Sequence, residues 1–169
     1  MATENLRVIW LVFGPTASEI DLNNLKDIGP IWGPAESWRA FKTDNVVSVN
    51  YAEATDLVSR GLHTVCNMYV PTPFISKLSR NAALHSVPSY HVYPLSETVM
   101  PTLFSIAAKV ADIVLVIGLP NEIPQYDRQL IANIFTNSPT TQWVQLDTND
   151  PQFGMLADTT ENVLRMLGG

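Results

Sequence analysis

The chain has 169 residues, 46% apolar and 15% charged, with a formal charge of −6 from 10 Lys and Arg against 16 Asp and Glu. One globular domain spanning 1–169 is expected, long enough to bury ~70% of its unfolded surface without a metal or disulfide staple. Cys66 is the single cysteine, which excludes an intramolecular disulfide and makes the cytoplasm the expected location. The acid is concentrated late, since residues 86–169 carry three Lys or Arg against eight Asp or Glu. That balance argues against duplex nucleic acid, which is bound by clustered cations. No apolar run approaches the ~20 residues of a membrane span, and Met1 to Asn5 lacks the basic flank of a signal peptide, so a soluble protein with no membrane partner is expected.

In chain order, the run Val8-Ile9-Trp10-Leu11-Val12-Phe13 stops at Gly14-Pro15-Thr16. A continuous apolar stretch closed by a turn fits a strand covered on both faces, as in a parallel sheet between helices. Ser18-Glu19-Ile20-Asp21 reads as a helix start, and Gly29-Pro30 breaks that helix. Ile31-Trp32-Gly33-Pro34 follows, then a short helix over 36–41 and a strand over 45–49. A helix over 51–60 has Gly61 placed as its terminator. Residues 64–70 read as a strand, Thr72-Pro73 as a helix start, and 89–93 as a weaker strand between prolines.

The spacing of Val99, Leu103, Ile106 and Val110 predicts a helix over about 101–110. It leads into Ile113-Val114-Leu115-Val116-Ile117, which again stops at a glycine, in Gly118-Leu119-Pro120-Asn121. Pro124 opens a helix striped by Leu130, Ile131, Ile134 and Phe135. Residues 142–146 form the last expected strand and 147–151 its polar exit. A terminal helix carries Leu156, Val163, Leu164 and Leu167, with Asp158 and Glu161 at capping-box spacing. Alternating strands and helices predict a three-layer α/β domain, Rossmann-like or flavodoxin-like. Its sheet is expected to hold about six mostly parallel strands with helices on both faces, and 8–13 and 113–117 at its centre.

Ligands in such sheets collect where strands end and helices begin, so the two glycine turns are the first candidate site. Gly14 and Thr16 can bring backbone close to an anion, although Pro15 has no N–H to donate; the plain alternative is a tight turn. The chain has no Gly-x-Gly-x-x-Gly and no Gly-x-x-x-x-Gly-Lys-Ser/Thr, so neither dinucleotide nor Walker chemistry is indicated and no cofactor is identified. Trp32, Trp38, Arg39 and Lys42 form the most unusual local composition. They can stack and neutralise a ligand as a lid, or simply cover core beneath a loop.

After the second turn, Gly118 and Asn121 are candidate ligand contacts, and Glu122 and Asp127 are the candidate catalytic carboxylates. A carboxylate in a helix's first turn is also stabilised with no further role. Cys66 lies in a strand pattern with no adjacent base, which fits a buried thiol. His63, His85 and His91 lack metal-ligand spacing, and Asp147, Asn149 and Asp150 lack the spacing of an EF-hand, so no metal site is expected.

No family is recognised across the whole chain. Residues 111–147, from Ala111-Asp112-Ile113 through Asn121-Glu122 to Asp147, resemble the second half of nucleoside 2-deoxyribosyltransferase-like folds, where a strand and small loop precede a helix bearing a nucleophilic glutamate. The chain departs from that pattern in having no glycine-rich segment before the helix and Asp127 rather than a glutamate within it. The expected function is binding of a small polar or nucleotide-like ligand at the strand ends, with turnover undetermined. The alternatives are a non-enzymatic interaction or accessory module and, as the resemblance implies, a nucleoside-processing N-glycosidase or deoxyribosyltransferase-like enzyme. The low charged fraction and mean hydropathy of +0.09 favour a homodimer formed through an apolar helix face.

Overall fold

The structure, a computed structural model, describes residues 6–13, 25–35, 43–71, 78, 84–87 and 99–167. Its strands are β1 (Val8–Val12), β2 (Ile31–Pro34), β3 (Asn45–Val47), β4 (Asn67–Pro71), β5 (Leu84–Val87), β6 (Ile113–Ile117), β7 (Gln142–Leu146) and β8 (Leu156–Asp158). The described helices are α1 (Tyr51–Ser59), α2 (Met100–Val110), α3 (Gln125–Thr136) and α4 (Thr160–Leu167), with a single 3-10 turn at Leu62–Thr64. All eight strands form one sheet in the order β5-β4-β3-β2-β1-β6-β7-β8, and every neighbouring pair runs parallel.

The two glycine-stopped runs are the central neighbours β1 and β6, paired from Val8 opposite Ile113 to Val12 opposite Ile117. Their apolar continuity follows from burial on both faces. On one face Ile9, Leu11 and Phe13 join Val114 and Val116 beneath Leu103, Phe104 and Ala107 of α2 and Ile131 and Ile134 of α3. On the other, Trp10, Val12, Leu115 and Ile117 meet Leu25 and Val163 of α4. Val46 and Met68 lie in register with Gly33 on this second face and pack against Ala54 and Leu57 of α1. Helices therefore cover both faces, as a three-layer α/β fold requires.

Local signals place the helix ends. Asn50 caps α1 by accepting the Glu53 amide at 3.0 Å, while the Glu53 carboxylate accepts the Ser48 hydroxyl at 2.7 Å. Gly61, with φ 80°, adopts the left-handed conformation just past the helix, as expected of a terminator. α2 departs from its expected stripe: Val110 is 38% exposed and Phe104 fully buried, because the first turns of the helix are enclosed nearly all round.

Among the described residues eight strands stand where about six were expected. β2 carries no strand signal of its own, since glycine and proline end it; as its final residue, Pro34 interrupts little of the ladder. β5 and β8 are too short to show a period, and Leu156 belongs to the β8 edge rather than to the terminal helix. The true cap of α4 is Thr159, whose hydroxyl accepts the Asn162 amide at 3.1 Å. The strand expected over 45–49 ends at Val47, and the one expected over 64–70 begins at Asn67, after the 3-10 turn. The helices expected over 36–41 and from 72, the strand over 89–93 and the start of the 18–29 helix lie outside the described residues.

Candidate functional site

Strand order climbs outward from β1 to β5 on one side and from β6 to β8 on the other. The carboxyl ends of β1 and β6 are therefore the switch point of the sheet, the position at which open α/β sheets hold ligands. Of the residues expected there, Gly14, Thr16, Trp38 and Arg39 lie outside the described residues.

Gly118 closes β6 at φ 74°, and a Cβ on it would sit 1.9 Å from the Phe13 carbonyl oxygen. Only glycine lets the two strand ends approach so closely, an approach fixed by the Phe13 amide donating to the Ile117 carbonyl at 2.8 Å. The glycine thus has a packing reason of its own. Asn121 and Glu122 follow on the exposed loop, whereas Asp127, in the first turn of α3, is 3% exposed. A carboxylate so enclosed suits the positive helix end better than attack on a substrate.

Trp32 is a strand residue, 7% exposed, with its ring centroid 4.8 Å from that of Tyr69. It is core beneath α2 rather than part of a lid. Burial pushes the Tyr69 phenol above its ordinary pKa.

Beside the switch point, the loop after β6 is tied to the loop between β7 and β8. Gln145, 5% exposed, accepts the Gln152 amide at 2.7 Å, and the Gln152 side chain donates to the Pro120 carbonyl at 2.7 Å. Arg128 of α3 donates to the same Gln152 side chain and lies 5.1 Å from the centre of the Phe153 ring. Two residues of the second loop, Asp147 at φ 59° and Phe153 at φ 57°, hold the left-handed conformation. Each costs a non-glycine residue roughly 1–2 kcal/mol. Asp147 is held there by its carboxylate, which accepts both the amide and the hydroxyl of Thr160 at the start of α4. This network is not legible in the sequence, where Gln145 is one of two glutamines in β7.

The remaining reactive groups lie at the opposite, amino ends of the strands. Cys66 is half-buried and donates to the Leu62 carbonyl at 3.6 Å. Burial first, and then the Asp44 carboxylate, push its thiol up to about 11, so it is protonated at neutral pH and no nucleophile. His91 lies outside the described residues. Among the described residues, no group of three or more His, Cys, Asp or Glu is placed to hold a metal ion, and no helix is long and apolar enough to cross a membrane.

No known family, curated protein or solved structure matches the chain.

Proposed function

We propose that the chain binds a small polar or nucleotide-like ligand at the carboxyl ends of β1 and β6. The observation that carries this reading is the reversal of strand order between those two strands, the position at which open α/β sheets hold ligands. Gly14, Thr16, Gly118 and Asn121 contact the ligand in this reading, with Trp38 and Arg39 as its lid and Trp32 left in the core. Turnover in this reading rests on Glu122, and a deoxyribosyltransferase-like reading would act instead through Asp127, which is enclosed. A thermal-shift panel of AMP, ribose 5-phosphate and FMN tests the proposal. One saturable ligand should stabilise the chain by ~2.7 kcal/mol at a hundredfold excess over its Kd, and no response to any of the three counts against it. Arg39→Ala and Trp38→Ala should each weaken that ligand about tenfold, or ~1.4 kcal/mol, with little change in Tm. Unchanged affinity in both removes the lid.

A second reading, a non-enzymatic interaction module that self-associates, draws on one observation. Leu156 of β8 and Met166 and Leu167 of α4 are 56%, 68% and 42% exposed, as an apolar contact face would be. Light scattering over a concentration series should then give a mass above 18.7 kDa. A monomer mass throughout removes the homodimer.

A further inference from the structure

Among the described residues the cations are unevenly placed along the strands. Arg7 precedes β1, Lys26 lines a cleft with Asn67 at the start of β4, Arg60 caps the end of α1, and Lys109 and Arg165 occupy the last turns of α2 and α4. All of these lie toward the amino ends. Arg128, the fourth residue of α3, is the described cation at the carboxyl ends, and a positive charge so near a helix start opposes the helix dipole. Its partners are neutral: Nη2 donates to the Gln152 side chain and the guanidinium lies 5.1 Å from the centre of the Phe153 ring. The described ion pairs, Arg7 with Asp112, Lys26 with Asp44 and Arg60 with Asp56, leave it out. Asp127 beside it in the chain is enclosed, and Glu122 stands on the exposed loop, where water weakens its field. Arg128 is partly buried, and no nitrogen of its guanidinium is among the polar atoms shut off from solvent without a partner. The donors that Gln152 does not take are therefore open to a ligand. They are also close to the switch point, because the same Gln152 donates to the Pro120 carbonyl, two residues past Gly118.

We propose that Arg128 is a specificity-determining residue at the switch point and that the ligand bound there carries a phosphate monoester, held by the free donors of the guanidinium. The inference rests on the reading that a small ligand binds at the ends of β1 and β6, and narrows that ligand to a phosphorylated one. A guanidinium stays charged at any working pH, and its planar fork matches the spacing of phosphate oxygens. Gln152 and Phe153 hold the side chain in place before a ligand arrives, so less rotamer freedom is lost on binding. A carboxylate spends both oxygens on the fork, whereas a phosphate keeps a third to face the loop after β6. Phosphate is the better fit.

The test titrates the whole chain with AMP and adenosine, ribose 5-phosphate and ribose, and FMN and riboflavin, with succinate as the carboxylate arm. At least one phosphorylated compound should bind at least about tenfold more tightly than its dephosphorylated partner and shift the Arg128 Nε resonance. Arg128→Gln should abolish that preference and leave the dephosphorylated partner's affinity unchanged, and Arg128→Lys, which keeps the charge, should retain part of it. Four results would each overturn the assignment while leaving a ligand at the switch point: phosphorylated and dephosphorylated partners bound equally, a preference that survives Arg128→Gln, a loss in that variant shared equally by the dephosphorylated partner, or succinate bound in place of the phosphates. The first is read on the unaltered chain, so the assignment can fall even where a variant does not fold. Silence from every compound overturns it together with the reading on which it rests.

Discussion

The two ends of the sheet differ in how completely their buried polar groups are bonded. Toward the carboxyl ends, Gln145, Gln152 and the Pro120 carbonyl are bonded to one another, and Gly118 is pressed against the β1 backbone. At the amino ends, Thr43 and His63 keep buried polar atoms with no partner. A bonded buried group stabilises the fold and is costly to remove, whereas an unbonded one costs stability while it stays. The carboxyl end is thus shaped by contacts the fold itself requires, which leaves exposed loop and backbone to meet a ligand, while the amino end holds, beside bonded groups such as Asn45, two buried polar atoms that make no bond.

The sharpest way to break the comparison is at Gly118. In Gly118→Val the new Cβ meets backbone rather than a movable side chain, and the branched residue must hold φ 74°. The left-handed cost and the displaced strand together should remove about 3 kcal/mol or more in urea unfolding. A loss below about 1 kcal/mol would mean that β1 and β6 part without penalty.

A matched pair of substitutions sharpens it next. Gln145→Leu leaves the Gln152 amide without its acceptor and should cost about 2 kcal/mol, whereas Thr43→Val should cost nothing or stabilise. Equal losses in the two would erase the distinction between the ends.

How far the sequence disclosed this arrangement depends on the length of each signal. β1 and β6 were legible because five consecutive apolar residues have one explanation, burial on both faces, and Gly61 and Pro124 marked helix boundaries through backbone chemistry that acts locally. β2, β5 and β8 were not, since three or four residues give no period and, unlike Val46-Val47 of β3, they hold no pair of β-branched residues; their assignment comes from neighbours far along the chain. Trp32 misled for the same reason: beside Trp38 and Arg39 it reads as loop decoration, and only pairing with β1 and β3 puts it in the core. The Gln145 network joins residues from three segments, and nothing in the order of letters brings them together. The unpartnered state of Thr43 is likewise a property of its surroundings, invisible at its own position.

Smaller effects follow from titrating groups. With its thiol raised from 9.0 to about 11, Cys66 holds about a hundredfold less thiolate at pH 8 than an unperturbed thiol. Iodoacetamide should therefore modify it far more slowly in the folded chain than in urea, and equal rates would contradict its burial.

Asp158 is held below the usual carboxylate range by the Asn162 side-chain amide and then the Thr159 backbone amide, and Asp112 by the Arg7 backbone amide and then its side chain. A carboxyl whose pKa is lower folded than unfolded stabilises fully above the unfolded value of ~3.9 and loses that stabilisation as pH falls through the folded value. Stability should decline below about pH 4, less steeply in Asp158→Asn. An unchanged slope in that variant would show that Asp158 does not contribute.

The central claim, a ligand held where strand order reverses, is tested most directly by mapping amide shifts of the whole chain during titration with AMP, ribose 5-phosphate and FMN. The account predicts saturable shifts centred on Phe13, Gly118, Leu119 and Asn121 with at least one of them. Shifts confined to Thr43, Asp44 and Asn67, or none with any of the three, would contradict it.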